Sequence, residues 1–154
     1  AKALGPSIQA AIAAGIPVIS MNSGGVAAKA LGALLHVGQS EYDASRAAGE
    51  KMAELGGKHA LCINHEVGNI SLDDRCAGFA EGFGGQVDVM PTTNDPSEIQ
   101  SKVQASLESN PDINAVIALG ASLAGEPAVA AVEAIGRTGD VIVGSFELSG
   151  SFLK

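Results

Sequence analysis

Short apolar runs alternate along the chain with longer segments in which apolar residues recur every three or four positions. The short runs are rich in Val, Ile and Ala and are apolar on both faces, a pattern typical of buried parallel strands. It predicts strands over residues 16–21, 35–37, 59–64, 87–90, 115–119 and 141–143. The longer segments have the period of amphipathic helices. Helices are predicted over residues 6–14, 41–55, 71–83, 96–109 and 121–135.

Glycine, proline and aspartate positions indicate where the predicted helices begin and end. Gly15, Gly56 and Gly136 each follow a predicted helix directly, and glycine commonly terminates a helix at that place. Asp95 precedes the helix at residues 96–109 and can cap its first turn. Pro127 lies inside the last predicted helix. That helix is therefore expected to break there, or to restart with the proline in its first turn.

The regular alternation of strand and helix predicts an α/β fold with a three-layer, doubly wound parallel sheet. Ligands of such open sheets bind beyond the carboxyl ends of the strands. Polar residues follow several predicted strands, including Asn22, Gln39, Glu66 and Glu147. We expect the strands to be neighbours and their tips to converge on a shared cleft.

Composition and charge exclude several classes of protein. The chain has 154 residues, of which 46% are hydrophobic, enough to bury a substantial core. Its net charge of −8 provides no basic surface for phosphate groups, so neither nucleic acid nor an anionic membrane is an expected partner. No apolar stretch approaches the roughly 18 residues that a membrane-spanning helix needs. The first residues lack the pattern of a secretory leader, which leaves the compartment open.

Two cysteines, Cys62 and Cys76, occur in the chain, too few for a zinc site. Two buried free thiols are the favoured interpretation. A structural disulfide is the alternative in an oxidising compartment.

Three near-matches to catalytic motifs fail at a required position. Gly57-Lys58 resembles a phosphate-binding loop but is followed by a histidine instead of Ser or Thr. His65-Glu66 begins a zinc-protease motif, but Asn69 stands where the second histidine is required. Ser122 lacks the glycine that a nucleophile elbow needs two residues later. We therefore expect no enzyme, no cofactor and no metal site, and an enzyme of flavodoxin-like fold is disfavoured.

Five segments occur in an order that indicates a family. They are AAGIPVI at 13–19, HVGQSE at 36–41, RCAGF at 75–79, NPDINAV at 110–116 and VGSFE at 143–147. Together they resemble the type I periplasmic sugar-binding proteins, of which the ribose-binding proteins are the best known. The resemblance implies a flavodoxin-like lobe. Residues 1–23 would be the end of the N-terminal lobe and a hinge strand, and residues 24–154 the C-terminal lobe without its last strand.

The same resemblance implies a function. The protein would be the substrate-binding component of a bacterial ABC importer, located in the periplasm, that binds a small sugar between two lobes and delivers it to a membrane permease. The alternative is the ligand-sensing lobe of a LacI-type transcription repressor, which shares this architecture. A lobe that lacks a strand has an exposed sheet edge. The chain is therefore expected to self-associate, or to dock its strand at residues 16–21 into the vacant position.

Family sugar contacts can be carried over to four polar positions. Asn22 lies where relatives often have an aspartate that binds sugar hydroxyls, and Gln39 where a small polar contact occurs. Glu66 lies in the loop that lines the cleft. Arg75 matches an arginine on the following helix, whose planar group offers several donors to sugar oxygens. A surface ion pair with a neighbouring aspartate is the alternative role for Arg75.

Three further positions complete the predicted site. Phe146 and Glu147 resemble an aromatic–acid pair that would pack on the sugar ring and accept its hydroxyl protons. Compared with the family pattern, this segment has one extra residue, Ser145, which allows the alignment of the pair to shift by one position. The alternative for Phe146 is an ordinary position in the core. Gly120 lies where relatives often have an asparagine. The ligand contact at that strand end is therefore expected to differ from the one in those relatives.

Overall fold

Two separate parallel sheets organise the chain, which a computed structural model describes from residue 4 to residue 150. The packing of Cα atoms divides it into two units, Ala1–Glu41 and Tyr42–Lys154. The α/β class is confirmed, but the expectation of six neighbouring strands is wrong, because two strands form a sheet of their own. The lobe boundary after residue 23 stays a prediction.

The smaller unit contains a two-stranded parallel sheet. Its elements are α1 (Gly5–Ala13), β1 (Ile19–Asn22), α2 (Gly25–Ala30) and β2 (Leu35–Gly38). Helix α2 was not predicted, because six residues are too few to show a helical period. Ile19, Met21, Leu35 and Val37 in the two strands are all more than half exposed. The alternative, docking of the strand at residues 16–21 into the larger sheet, is wrong, because β1 pairs with β2. Self-association of the chain through a sheet edge stays a prediction, which sedimentation velocity would test.

The larger unit contains four parallel strands in the order β4-β3-β5-β6. The strands are β3 (His59–Asn64), β4 (Gln86–Pro91), β5 (Ala115–Ala118) and β6 (Ile142–Ser145). The helices are α3 (Glu41–Glu54), α4 (Ile70–Phe83), α5 (Pro96–Ser109) and α6 (Glu126–Ala134), with a π-helical turn at Ala121–Gly125. Each predicted strand and helix is found within a few residues of its expected position.

The local signals at the helix ends are confirmed. Asp95 caps α5 by accepting a hydrogen bond from the Ser97 amide at 2.9 Å. Pro127 lies in the first turn of α6, after the π-helical turn, so the predicted long helix does restart at the proline. Gly15, Gly56 and Gly136 all have positive φ angles.

Helices cover both faces of the four-stranded sheet. Alternate residues of β3 point to opposite sides, and each side has its own apolar cluster. Leu61 and Ile63 pack with α5 and α6, whereas Ala60 and Cys62 pack with α4 and with Met52 of α3. This arrangement confirms the three-layer, flavodoxin-like architecture.

A disulfide joins Cys62 of β3 to Cys76 of α4. The favoured interpretation of two free thiols is therefore wrong. The two residues are 14 positions apart in sequence, and their Cα atoms lie 5.9 Å apart, within the range that a disulfide spans. The bond fastens α4 to the centre of the sheet.

Helices α3 and α4 approach so closely that only glycine fits at their contact. A Cβ atom on Gly82 would overlap the Arg46 carbonyl, and one on Gly78 would overlap the Tyr42 carbonyl. Gly49 of α3 faces the backbone of α4 in the same way. The glycines thus set how near α4 lies to its neighbour.

Replacing Gly82 with alanine is expected to lower the free energy of unfolding by about 1–3 kcal/mol, because the added methyl group forces two packed helix backbones apart. Urea denaturation followed by circular dichroism measures the change. Among residues 4–150 no atom lies within 4 Å of a Cβ placed on Gly150, so Gly150→Ala is the control and should unfold like the wild type. Equal midpoints for both variants would show that the helices separate without cost.

Candidate functional site

The carboxyl ends of three neighbouring strands bring the predicted residues of the larger unit together. Ile63, Ala118 and Ser145 are aligned across β3, β5 and β6. The two residues that follow each of these aligned positions therefore form two short rows at the sheet edge. The outer row consists of His65, Gly120 and Glu147, and Phe146 lies in the inner row.

Arg75 projects from α4 over this edge. Its guanidinium donates a hydrogen bond to the Leu119 carbonyl at 2.8 Å. It also lies 4.2 Å from the centre of the Phe146 ring, a distance at which the cation and the ring attract each other. The ligand role of Arg75 and its alternative, an ion pair with a neighbouring aspartate, both stay predictions. Contacts with the residues that directly follow β5 and β6 orient the guanidinium plane.

Phe146 has two roles at the site. One side of the residue packs against the apolar cluster that contains the disulfide, and its ring also stacks with Arg75. Its amide donates to the Ala118 carbonyl at 3.0 Å, which fixes the chain directly after β6. A ligand contact of Phe146 stays a prediction, and its half-buried ring forms part of the strand-end surface.

A network of side-chain amides shapes the loop that carries Glu66. The Asn64 side chain donates to Asp73 at 2.9 Å and accepts from the Glu66 amide at 3.1 Å. The Asn69 side chain caps α4 by accepting from Ser71 and donates to the Glu66 carboxylate at 2.9 Å. The exposed Glu66 carboxylate is therefore held in place.

His65 is a member of the site that the sequence analysis did not select. It follows β3 directly, and its buried Nδ1 has no hydrogen-bond partner within residues 4–150. The pKa of His65 is lowered mainly by burial, and the Arg75 charge lowers it further. The Glu66 and Glu147 carboxylates act in the opposite direction and raise it. The neutral form is thus favoured, and the fold loses stability as the pH falls through this lowered pKa.

Gly120 and Glu147 complete the outer row. Gly120 is buried, and its extended backbone has a φ of −169°. Glu147 is exposed and has a positive φ of 68°, a conformation uncommon for residues other than glycine. The charges of Glu66, Arg75 and Glu147 all act on the pKa of His65.

Asn22 and Gln39 belong to the smaller unit. Asn22 ends β1, is aligned with Gly38 of β2 and has a φ of 71°. Gln39 follows β2 and donates to the Glu41 carboxylate at 3.1 Å. The two residues therefore share one strand-end edge of the smaller sheet.

The site in the larger unit offers donors, acceptors and one aromatic face. Arg75 donates, the two carboxylates accept, and Phe146 supplies an apolar surface, a combination that suits a small molecule rich in hydroxyl groups.

Among the described residues no group of three or more His, Cys, Asp or Glu side chains could hold a metal ion. None of the helices between residues 4 and 150 has both the length and the apolar character to cross a membrane.

The family model described as periplasmic binding protein domain matches residues 1–154, the whole chain. The chain belongs to this family. A comparison with curated proteins gave no match.

Several solved structures are similar to the structure of this chain. A carbohydrate transporter from Acidothermus cellulolyticus 11B, in complex with myo-inositol, is 34% identical with a TM-score of 0.85, covering 96% of this chain and 51% of that chain. A periplasmic sugar binding protein from Legionella pneumophila is 25% identical with a TM-score of 0.83, and the match covers 98% of this chain and 58% of that chain. An ABC transporter periplasmic solute binding protein from Actinobacillus succinogenes 130z, with bound D-allose, is 26% identical with a TM-score of 0.70. The match covers 92% of this chain and 52% of that chain.

The first of these proteins is a carbohydrate transporter, the second a periplasmic sugar binding protein of an ABC sugar transporter, and the third a periplasmic solute binding protein of an ABC transporter. The chain spans only about half of their length. The transcription-repressor alternative finds no support among them.

Proposed function

We propose that the intact protein is the substrate-binding component of a bacterial ABC importer. This chain would supply part of the binding site for a small sugar or cyclic polyol. The observation that carries the proposal is the oriented Arg75 guanidinium, held by Leu119 and Phe146 at one sheet edge with the Glu66 and Glu147 carboxylates. Similar proteins with bound myo-inositol and D-allose support the ligand class.

The chemistry of the site favours binding without turnover. A ring with several hydroxyl groups needs donors and acceptors at fixed angles, and a planar guanidinium beside carboxylates provides both. The roles of Asn22 and Gln39 at the strand ends of the smaller unit stay predictions from the resemblance. Delivery of the ligand to a membrane permease is part of the proposal.

The disulfide supports a periplasmic location. Disulfides form and persist in oxidising compartments such as the bacterial periplasm and are rare in the cytosol. The Cys62–Cys76 bond therefore agrees with the extracytoplasmic location that is typical of the family.

A thermal-shift panel of monosaccharides and cyclic polyols on the intact protein tests the proposal. Myo-inositol and D-allose are the first probes. At least one member of the panel should raise the melting temperature in a concentration-dependent way, because a ligand that binds only the native state stabilises it. The bound compound should be recovered unchanged after incubation, as judged by NMR. No shift with any member would contradict the proposed function, and conversion of the ligand would indicate an enzyme.

A further inference from the structure

Glycine at position 120 is not required by the backbone. Its φ of −169° is extended and open to any residue. The atoms nearest to a Cβ placed there belong to one side chain, the His65 imidazole, with Cε1 at 3.4 Å and Nε2 at 3.8 Å. An alanine would just make contact, but a longer polar side chain would occupy the space of the ring. Gly120 therefore leaves room for His65.

The His65 ring has a favoured tautomer. A neutral imidazole carries its proton on one of two nitrogens. A proton on the buried Nδ1 would create an N–H group without an acceptor within the described residues, which is costly in a protein interior. Protonation of Nε2 avoids this cost. The neutral ring is thus prepared to donate from Nε2.

The charges around His65 complement this neutral donor. Glu66 precedes the α4 cap on the same loop, Arg75 lies on α4, and Glu147 follows β6. Arg75 donates hydrogen bonds and the two carboxylates accept them. A second cation beside Arg75 would be repelled, whereas a neutral N–H adds a donor without adding charge.

We propose that His65, whose ring occupies the space that Gly120 leaves open, is a ligand contact of this site and donates from Nε2 to a hydroxyl or ring oxygen of the bound sugar or polyol. The inference rests on the proposed function and adds a residue that determines which ligand fits. It also makes binding sensitive to pH. Protonation of the ring would place an N–H on the orphaned Nδ1 and a positive charge next to Arg75.

Calorimetric titration of the intact protein with the best ligand of the panel tests the inference. His65→Ala should raise the Kd about tenfold, the value expected for loss of one hydrogen bond from a desolvated site. His65→Gln keeps an amide donor near the Nε2 position and should retain affinity within about threefold. Gly120→Asn should weaken binding in the wild-type background, and the double variant with His65→Ala should bind better than Gly120→Asn alone.

A pH series separates ligand contact from a merely structural role. Affinity of the wild type should fall as the pH drops below the ordinary histidine pKa of about 6.5, and the fall should be much smaller in His65→Gln. If the wild type binds and His65→Ala binds equally well with the same pH profile, this inference is wrong and the proposed function stands. If no panel member binds the wild type, the proposed function fails and the inference fails with it.

Discussion

Replacing Arg75 with alanine is expected to weaken sugar or polyol binding by the intact protein by about 10- to 100-fold, the range for hydrogen bonds to a charged group. The guanidinium has five donors and can bind the Leu119 carbonyl and a ligand oxygen together. Its stacking on Phe146 fixes the plane in which these donors point. Calorimetric titration with the best ligand of the panel measures the loss.

Two further arginine variants control for charge and for folding. Arg75→Lys keeps the positive charge but not the planar fork, so an intermediate affinity is expected. Arg46 lies on α3, where it pairs with Glu50 on the helix surface, and Arg46→Ala should bind like the wild type. Urea denaturation of each variant separates lost affinity from lost stability. An Arg75→Ala protein that is folded and binds with unchanged affinity would remove Arg75 from the site.

Reducing the Cys62–Cys76 disulfide is expected to lower the free energy of unfolding by about 3 kcal/mol, the loop-closure value for a loop of about 15 residues. The bond closes a loop over a sequence separation of 14, and its removal lets the unfolded chain explore more conformations. Urea denaturation with and without reductant measures the difference.

The double variant Cys62→Ala, Cys76→Ala provides the matched control, since reductant should leave its stability unchanged. Thiol titration of the unfolded, unreduced wild type should find neither cysteine reactive. Two reactive thiols under those conditions would contradict the disulfide and restore the interpretation as free cysteines.

The disulfide and the candidate site share the same helix. Cys76 directly follows Arg75 on α4, and Cys62 lies two residues before Asn64 in β3. The covalent link therefore holds the helix that carries the guanidinium against the strand that ends at the site. Gly78 and Gly82 of the same helix let α3 pack closely against it.

The sequence located most of the secondary structure because the signals are local. The helix over Pro96–Ser109 and the strand over His59–Asn64 have the predicted bounds. The helix shows a regular apolar spacing with a capping aspartate, and the strand is a run buried on both faces. The short α2 was missed, since one and a half turns contain too few residues for a period to appear.

The site could be predicted only in part. Arg75 and Phe146 were selected separately, and the structure brings them into contact. His65 was passed over because it was tested only as a metal ligand. Its position directly after a buried strand was the available signal. Its orphaned Nδ1 depends on neighbours that are distant in sequence.

The amino-acid sequence by itself determined the α/β class, the order of strands and helices, and the polar character of the strand ends, because hydrophobic period and capping act over a few residues. Only the tertiary structure decided that β1 and β2 form their own sheet, that Cys62 meets Cys76, and that His65 fills the space beside Gly120. Those outcomes depend on strand register and on distances between atoms far apart in the chain, which no local pattern encodes.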